Sequence, residues 1–142
     1  MPAPPELIER SNALDDCFGR ILVIDDDPEL VDVIEEYVLG AGYEVVAAHR
    51  GAEGLMLAEQ QRPDVVLLDI RMPGMTGVQV LQQLRLRAPD LPVVMISGAG
   101  DLQIAKGCLT RGAFDYVSKP FELDHVHRCV AAALARGEGS GA

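Results

Sequence analysis

The feature that most constrains this chain is a fivefold alternation of a short apolar run with a stretch of helical spacing. The runs are Ile21-Leu22-Val23-Ile24, Glu44-Val45-Val46-Ala47, Val65-Val66-Leu67-Leu68, Val93-Val94-Met95-Ile96 and Phe114-Asp115-Tyr116-Val117. Four of them are apolar or nearly so throughout, which is how strands read when helices cover both faces of a parallel sheet. Five strands alternating with five helices predict a single α/β doubly wound domain. At 142 residues, with 49% hydrophobic and 24% charged residues, the chain is one domain's worth and excludes wholesale disorder.

The intervening stretches carry their own start and stop signals. Asp27-Pro28 reads as an N-cap followed by proline at the first helical position. Leu30, Val33, Ile34, Tyr37 and Val38 follow at helical spacing, and Gly40 and Gly42 end that helix. A second helix is predicted over about Ala52 to Gln61, stopped by Pro63. Thr76 with Gln79 reads as a capping box for a third, whose core face is Val78, Leu81 and Leu84 and which Pro89 ends. A fourth covers about Asp101 to Arg111. A fifth covers about Glu122 to Ala135 with Leu123, Val126, Val130 and Leu134 inward. Residues 1–19 read as an N-terminal extension with a helical turn or two around Glu6 to Arg10. Residues 20–136 are the domain, and 137–142 are a flexible C-terminal tail.

Charge and cysteine usage exclude several functions. The formal net charge of -10 speaks against direct nucleic-acid binding and against an anionic membrane surface, and suits a cation or a basic partner. Cys17, Cys108 and Cys129 lack the spacing of a disulfide framework or zinc site and read as packing residues of a reducing cytoplasm. No signal peptide is visible, and no apolar run approaches the roughly 18 residues that a membrane helix needs.

In doubly wound sheets ligands bind beyond the carboxyl ends of the strands. Asp25, Asp26 and Asp27 follow the first strand. Asp69 follows the third, Ser97 the fourth, and Ser118 and Lys119 the fifth. Carboxylates crowded at one edge repel each other unless a cation intervenes, and an oxygen-only cluster suits Mg²⁺. A lysine and a hydroxyl opposite can hold phosphoryl oxygens, and a carboxylate can itself become an acyl phosphate. Singly, Asp27 reads as a helix cap, Ser97 as a turn residue and Lys119 as a surface charge. Their joint appearance at the ends of separate strands is what points to a site. His49, His125 and His127 are scattered and receive no catalytic role.

With these pieces assembled, the chain resembles a bacterial two-component response-regulator receiver domain. The matching segments are Val23-Ile24-Asp25-Asp26-Asp27-Pro28, the run from Leu67 to Gly77, Met95-Ile96-Ser97-Gly98, and Asp115-Tyr116-Val117-Ser118-Lys119-Pro120-Phe121. They span about Gly19 to Arg136. The resemblance implies a flavodoxin-like five-stranded parallel sheet in the order 2-1-3-4-5, with Asp69 as phosphoacceptor. It implies Mg²⁺ ligated by Asp26 and Asp69, by Asp25 through water, and by the backbone carbonyl of Arg71. Ser97 and Lys119 would contact phosphoryl oxygens, the Lys119–Pro120 peptide would be cis, and Tyr116 would be the switch aromatic. The Arg71 side chain is expected over the mouth of the site. Expected partners are a sensor histidine kinase or a histidine phosphotransfer protein. A homodimer or an effector would bind at the face of the fourth helix, fifth strand and fifth helix. The resemblance implies a cytoplasmic phosphoacceptor rather than a turnover enzyme.

Within the family, the run from Asp69 to Met75 and Gly112-Ala113-Phe114-Asp115-Tyr116 look most like receivers of nitrogen-regulatory activators. A single-domain regulator and the excised N-terminal receiver of a larger transcriptional activator both fit. Three competitors fit less well. A dehalogenase-type aspartate-nucleophile phosphatase needs a second aspartate where Arg71 stands. In a flavin mononucleotide binder, Asp25-Asp26-Asp27 would repel the phosphate. A degenerate scaffold receiver would lack one of the acids or the lysine.

Overall fold

The computed structural model describes residues 18–141. The helical turn expected around Glu6 to Arg10, and Cys17, lie outside the described residues. The elements in chain order are β1 (Arg20–Ile24), α1 (Pro28–Gly40), β2 (Glu44–Ala48), α2 (Gly51–Gln61) and β3 (Val65–Asp69). Then come α3 (Gly77–Arg87), β4 (Val93–Ser97), α4 (Leu102–Thr110), β5 (Asp115–Ser118) and α5 (Leu123–Gly141). All four strand pairings are parallel, and the sheet order is β2-β1-β3-β4-β5.

Alternation along each strand divides the core in two, because successive side chains point to opposite faces. Leu22, Ile24, Val66, Leu68, Val93 and Met95 face one side with Leu55, Val80, Leu81, Leu84, Ala105 and Cys108 from α2, α3 and α4. Ile21, Val23, Val65, Leu67, Val94 and Ile96 face the other with Val31, Ile34 and Val38 of α1 and Val126, Val130 and Ala133 of α5. The central strands β3 and β4 are buried along their whole length. Each fully buried Leu or Ile side chain here contributes about 1.5–3 kcal/mol, and truncation of Leu67 to Ala would cost about 2–5 kcal/mol. Cys108 and Cys129 are both buried on helix faces, as their spacing suggested.

Local chemistry sets the helix boundaries. The Asp27 carboxylate accepts from the Glu29 and Leu30 amides at 3.1 and 3.4 Å and opens α1 ahead of Pro28. Thr76 and Gln79 form the reciprocal capping box of α3, Gln79 N–H to Thr76 Oγ1 at 3.3 Å and Thr76 N–H to Gln79 Oε1 at 2.9 Å.

Two inward faces differ from the sequence expectation. On α1 the buried stripe is Val31, Ile34 and Val38, flanked by half-buried Leu30 and Tyr37, while Val33 is 49% exposed. On α3, Val80 is fully buried and Val78 only half-buried. In both helices an apolar residue one or two positions away meets the sheet more squarely than the one that best fitted the spacing. The last helix is the longest and runs to Gly141.

Candidate functional site

Neighbours reverse order across β1, which pairs with β2 on one side and β3 on the other. Their carboxyl ends are level, with Ile24 opposite both Ala48 and Leu68. The residues just past that line, Asp25 and Asp69, therefore share the crevice where a doubly wound sheet binds its ligand. Asp69 is the last residue of β3 and Ser97 the last of β4, so both are held by the ladder itself.

The carboxylates of Asp25, Asp26 and Asp69 each offer an oxygen within 4.8 Å of the others. Asp25 and Asp69 are buried and Asp26 is exposed. Lys119 Nζ stands 3.9 Å from Asp25 Oδ2 and 3.8 Å from Asp69 Oδ1. The lysine is brought there by the edge strand, since the Lys119 N–H donates to the Ser97 carbonyl at 2.7 Å. The Lys119–Pro120 peptide is cis.

This crowding has an electrostatic consequence. Burial, and then the charge of Asp25, push the Asp69 carboxyl from 3.8 up to about 7, against the opposing pull of Lys119. Burial also raises Asp25, opposed by the amide of Asp27 and the charge of Lys119. The Asp27 amide donates to Asp25 Oδ1 at 2.9 Å, while Asp25 Oδ2 is buried without a hydrogen-bond partner. One lysine is too little positive charge for three acids. A buried carboxylate oxygen that accepts no hydrogen bond, in an all-oxygen cluster, fits a small hard divalent cation.

The structure thus brings together Asp25, Asp26, Asp69 and Lys119. Ser97 is buried at the end of β4, opposite Ser118, and its hydroxyl donates to the Gly98 carbonyl at 3.3 Å. Tyr116 pairs with Met95 in the sheet, is half-buried, and borders a surface groove of about 680 Å³ with Ser118, Phe121, His125 and Arg128.

The Arg71 guanidinium forms an ion pair with Asp101, Nε to Oδ1 at 2.8 Å and the terminal nitrogen to Oδ1 at 2.7 Å. Asp101 is 3% exposed, and a buried carboxylate draws the nearest cation to itself. The same pairing raises the Arg71 pKa further.

Two residues that sequence reasoning gave no part in the site stand beside it. His49, directly after β2, reaches the site edge, where its Nδ1 lies 3.1 Å from the Asp25 carbonyl oxygen. Asp101 was read only as a helix start. For His49 the available signal was its position one residue past a strand end.

Comparison with known proteins agrees with this geometry. The model of the response regulator receiver domain matches residues 21–131. The DNA-binding transcriptional regulator NtrC of Escherichia coli strain K12 is 40% identical over 117 residues, which is 82% of this chain and 25% of NtrC. The regulator RpaA of Synechocystis is 40% identical over 119 residues, 82% of this chain and 49% of RpaA. The chain thus spans about a quarter to a half of these relatives. Among solved structures, the receiver domain of NtrX from Brucella abortus superposes with a TM-score of 0.79 at 33% identity, covering 81% of this chain and 98% of that one. A receiver domain from Clostridium thermocellum gives 0.81 at 30% identity over 84% and 96%. Fold, edge chemistry and matched segment agree, and the chain belongs to the response regulator receiver domain family.

Proposed function

We propose that the chain is a phosphoacceptor switch of two-component signalling, with Asp69 taking a phosphoryl group from a phosphohistidine. The histidine belongs to a sensor kinase or a phosphotransfer protein. The observation that carries this reading is one nearly buried carboxylate, Asp69, flanked by two further acids and faced by Lys119 at 3.8 Å. An Asp69 oxygen attacks phosphorus, the P–N bond breaks as the P–O bond forms, and the imidazole nitrogen keeps the bonding pair. The attack needs Asp69 ionised, and a carboxyl pushed up to about 7 is only partly so at neutral pH. Asp26 and Asp69, Asp25 through water, and the Arg71 carbonyl would hold Mg²⁺, which supplies positive charge to the acids and to the phosphoryl oxygens. Lys119 then neutralises a phosphoryl oxygen, and Ser97 donates a hydrogen bond to another once it turns from Gly98.

Such a group adds roughly -1.5 to -2 charges and strong acceptor oxygens. Inward movement of Ser97 opens space for Tyr116 to turn in and reshapes the face of α4, β5 and α5. That face is the proposed contact for an effector or a second copy, and the whole is a two-state element biased by a local charge event. The protein works in the cytoplasm as an acceptor and not as a turnover enzyme. Similarity to NtrC over a quarter of NtrC's length fits the receiver of a larger activator, and a single-domain regulator fits the same chemistry. The test is intact-mass detection of one phosphoryl group after incubation with acetyl phosphate and Mg²⁺, lost on removal of Mg²⁺.

A further inference from the structure

The Arg71–Asp101 pair bridges the two loops that follow β3 and β4, on either side of the proposed switch. Arg71 follows Asp69 by two residues on the β3–α3 loop. Asp101 ends the β4–α4 loop, four residues after Ser97. The contact is close on both sides, with Nε 2.8 and 3.0 Å from the two carboxylate oxygens and the terminal nitrogen 2.7 Å from Oδ1. Asp101 occupies the N-cap position of α4 yet makes no capping hydrogen bond. Its carboxylate is committed sideways to Arg71 instead of to the helix it precedes.

Little else ties down this end of α4. Leu102 and Ile104 are exposed, and the buried anchors of the helix are Ala105 and Cys108. Gly100, at φ +86, takes a backbone conformation that a residue with a Cβ adopts only under strain, and Gly98 and Ala99 are small. The Asp101 N–H closes the loop on the Gly98 carbonyl at 3.2 Å, and the ion pair ties it to the β3–α3 loop. Ser97, at the base of this loop, points its hydroxyl at Gly98 in the present arrangement.

We infer that Asp101 is a positioning residue which, through Arg71, holds the β4–α4 loop in its unphosphorylated place and so restrains Ser97 from the phosphoryl group. This rests on the phosphoacceptor reading. A loop shift that lengthens this ion pair leaves a buried carboxylate less well neutralised, and the pair opposes it to that extent. Removing either partner weakens that opposition: Asp101→Asn deletes the buried charge, and Arg71→Gln leaves it uncompensated, so the resting arrangement loses its advantage either way.

Beryllofluoride with Mg²⁺ serves as the phosphoryl mimic, with affinity measured by titration calorimetry on the full chain. Asp101→Asn and Arg71→Gln are each expected to bind it about fivefold more tightly, the scale of one partly exposed ion pair. The double variant is expected to bind no more tightly than either single. Arg71→Lys, which keeps the charge but loses the guanidinium, should fall between Gln and wild type. Amide exchange from Gly98 to Ala105 in the mimic-free protein should quicken in both single variants. Simple electrostatics predicts opposite signs for the two variants, since one removes a negative charge near an anion and the other a positive one. Opposite signs, additive effects, or lowered melting temperatures with unchanged affinity would each overturn the inference while leaving the phosphoacceptor reading intact. Wild-type protein that binds no beryllofluoride would overturn both. Asp101→Ser replaces Asp101→Asn should the latter fail to fold.

Discussion

Gly77 lies directly against the backbone of Asp69: a Cβ there would stand 2.1 Å from the Asp69 carbonyl oxygen and 2.8 Å from the Ile70 Cα. The Gly77 amide donates to the Ile70 carbonyl at 2.8 Å. The first turn of α3 therefore rests on the strand end that presents Asp69, the proposed phosphoacceptor, and no side chain fits between them. Gly77→Ala should destabilise the fold by about 2–3 kcal/mol, the range of an overpacked core, and slow phosphorylation by displacing Asp69. Gly107→Ala is the control, since a Cβ there meets nothing within 4 Å. It should stabilise by about 0.5–1 kcal/mol and leave phosphorylation unchanged. Chemical denaturation with acetyl phosphate labelling of both variants checks this. A Gly77→Ala protein as stable and as reactive as wild type would contradict it.

Neighbouring acids after β1 have separable roles. Asp27 caps α1 through the Glu29 and Leu30 amides, whereas Asp26 offers a carboxylate oxygen to the cluster. Asp27→Ala should cost about 1 kcal/mol of stability and keep Mg²⁺ binding. Asp26→Ala should weaken Mg²⁺ about tenfold or more, since a hard dication depends on few protein carboxylates. Calorimetric titration with Mg²⁺ and urea melts of the two variants report both quantities. Reversed outcomes would exchange the two assignments.

Asp69 makes the metal-free fold pH-sensitive in a definite direction. Its carboxyl is pushed from 3.8 to about 7 on folding, mainly by burial and then by Asp25. The folded chain holds that proton more tightly than the unfolded chain, so the contribution is full below about pH 4 and is lost as pH rises through about 7. Asp69→Asn removes the penalty. Without Mg²⁺ it should be more stable than wild type to urea at pH 8, by on the order of 2 kcal/mol, and should show little gain at pH 4.5. Added Mg²⁺ should narrow the gap at pH 8 by stabilising wild type. A difference between the two proteins that is flat across pH would contradict the assignment of that proton to Asp69.

The proposed output rests on Ser97 and Tyr116. Bound beryllofluoride should change amide protection from Ser97 to Arg111 and around Tyr116. If the face of α4, β5 and α5 pairs with a second copy, sedimentation should also show a dimer only with the mimic. Unchanged protection in both regions would remove the switch from the account. A monomer with altered protection would assign the face to an effector.

Much of the fold was legible because the signals were local. The apolar strands β1, β3 and β4, the Asp27 cap with Pro28, and the Thr76–Gln79 capping box are each written within a few adjacent residues. Asp25, Asp26, Asp69 and Lys119 were legible as a site because strand ends carry function in this architecture, whatever their separation in sequence. Helix faces were less so. Val33 and Val31 fit the spacing of α1 almost equally, and only the position of the sheet decides between them. The Arg71–Asp101 ion pair was not legible, since it joins residues 30 apart whose meeting depends on two loop conformations. His49 was set aside because β2 lies at the sheet edge, and its neighbourhood to the Asp25 carbonyl depends on strand order rather than on local sequence.

Phosphoryl transfer to Asp69 is the claim on which the rest depends, and labelling by acetyl phosphate with Mg²⁺ tests it most directly. The account predicts a single added phosphoryl group in the intact mass of wild type. The label should be labile to base and hydroxylamine as an acyl phosphate, and absent from Asp69→Asn and from wild type stripped of Mg²⁺. An Asp69→Asn protein that labels as strongly as wild type would contradict it.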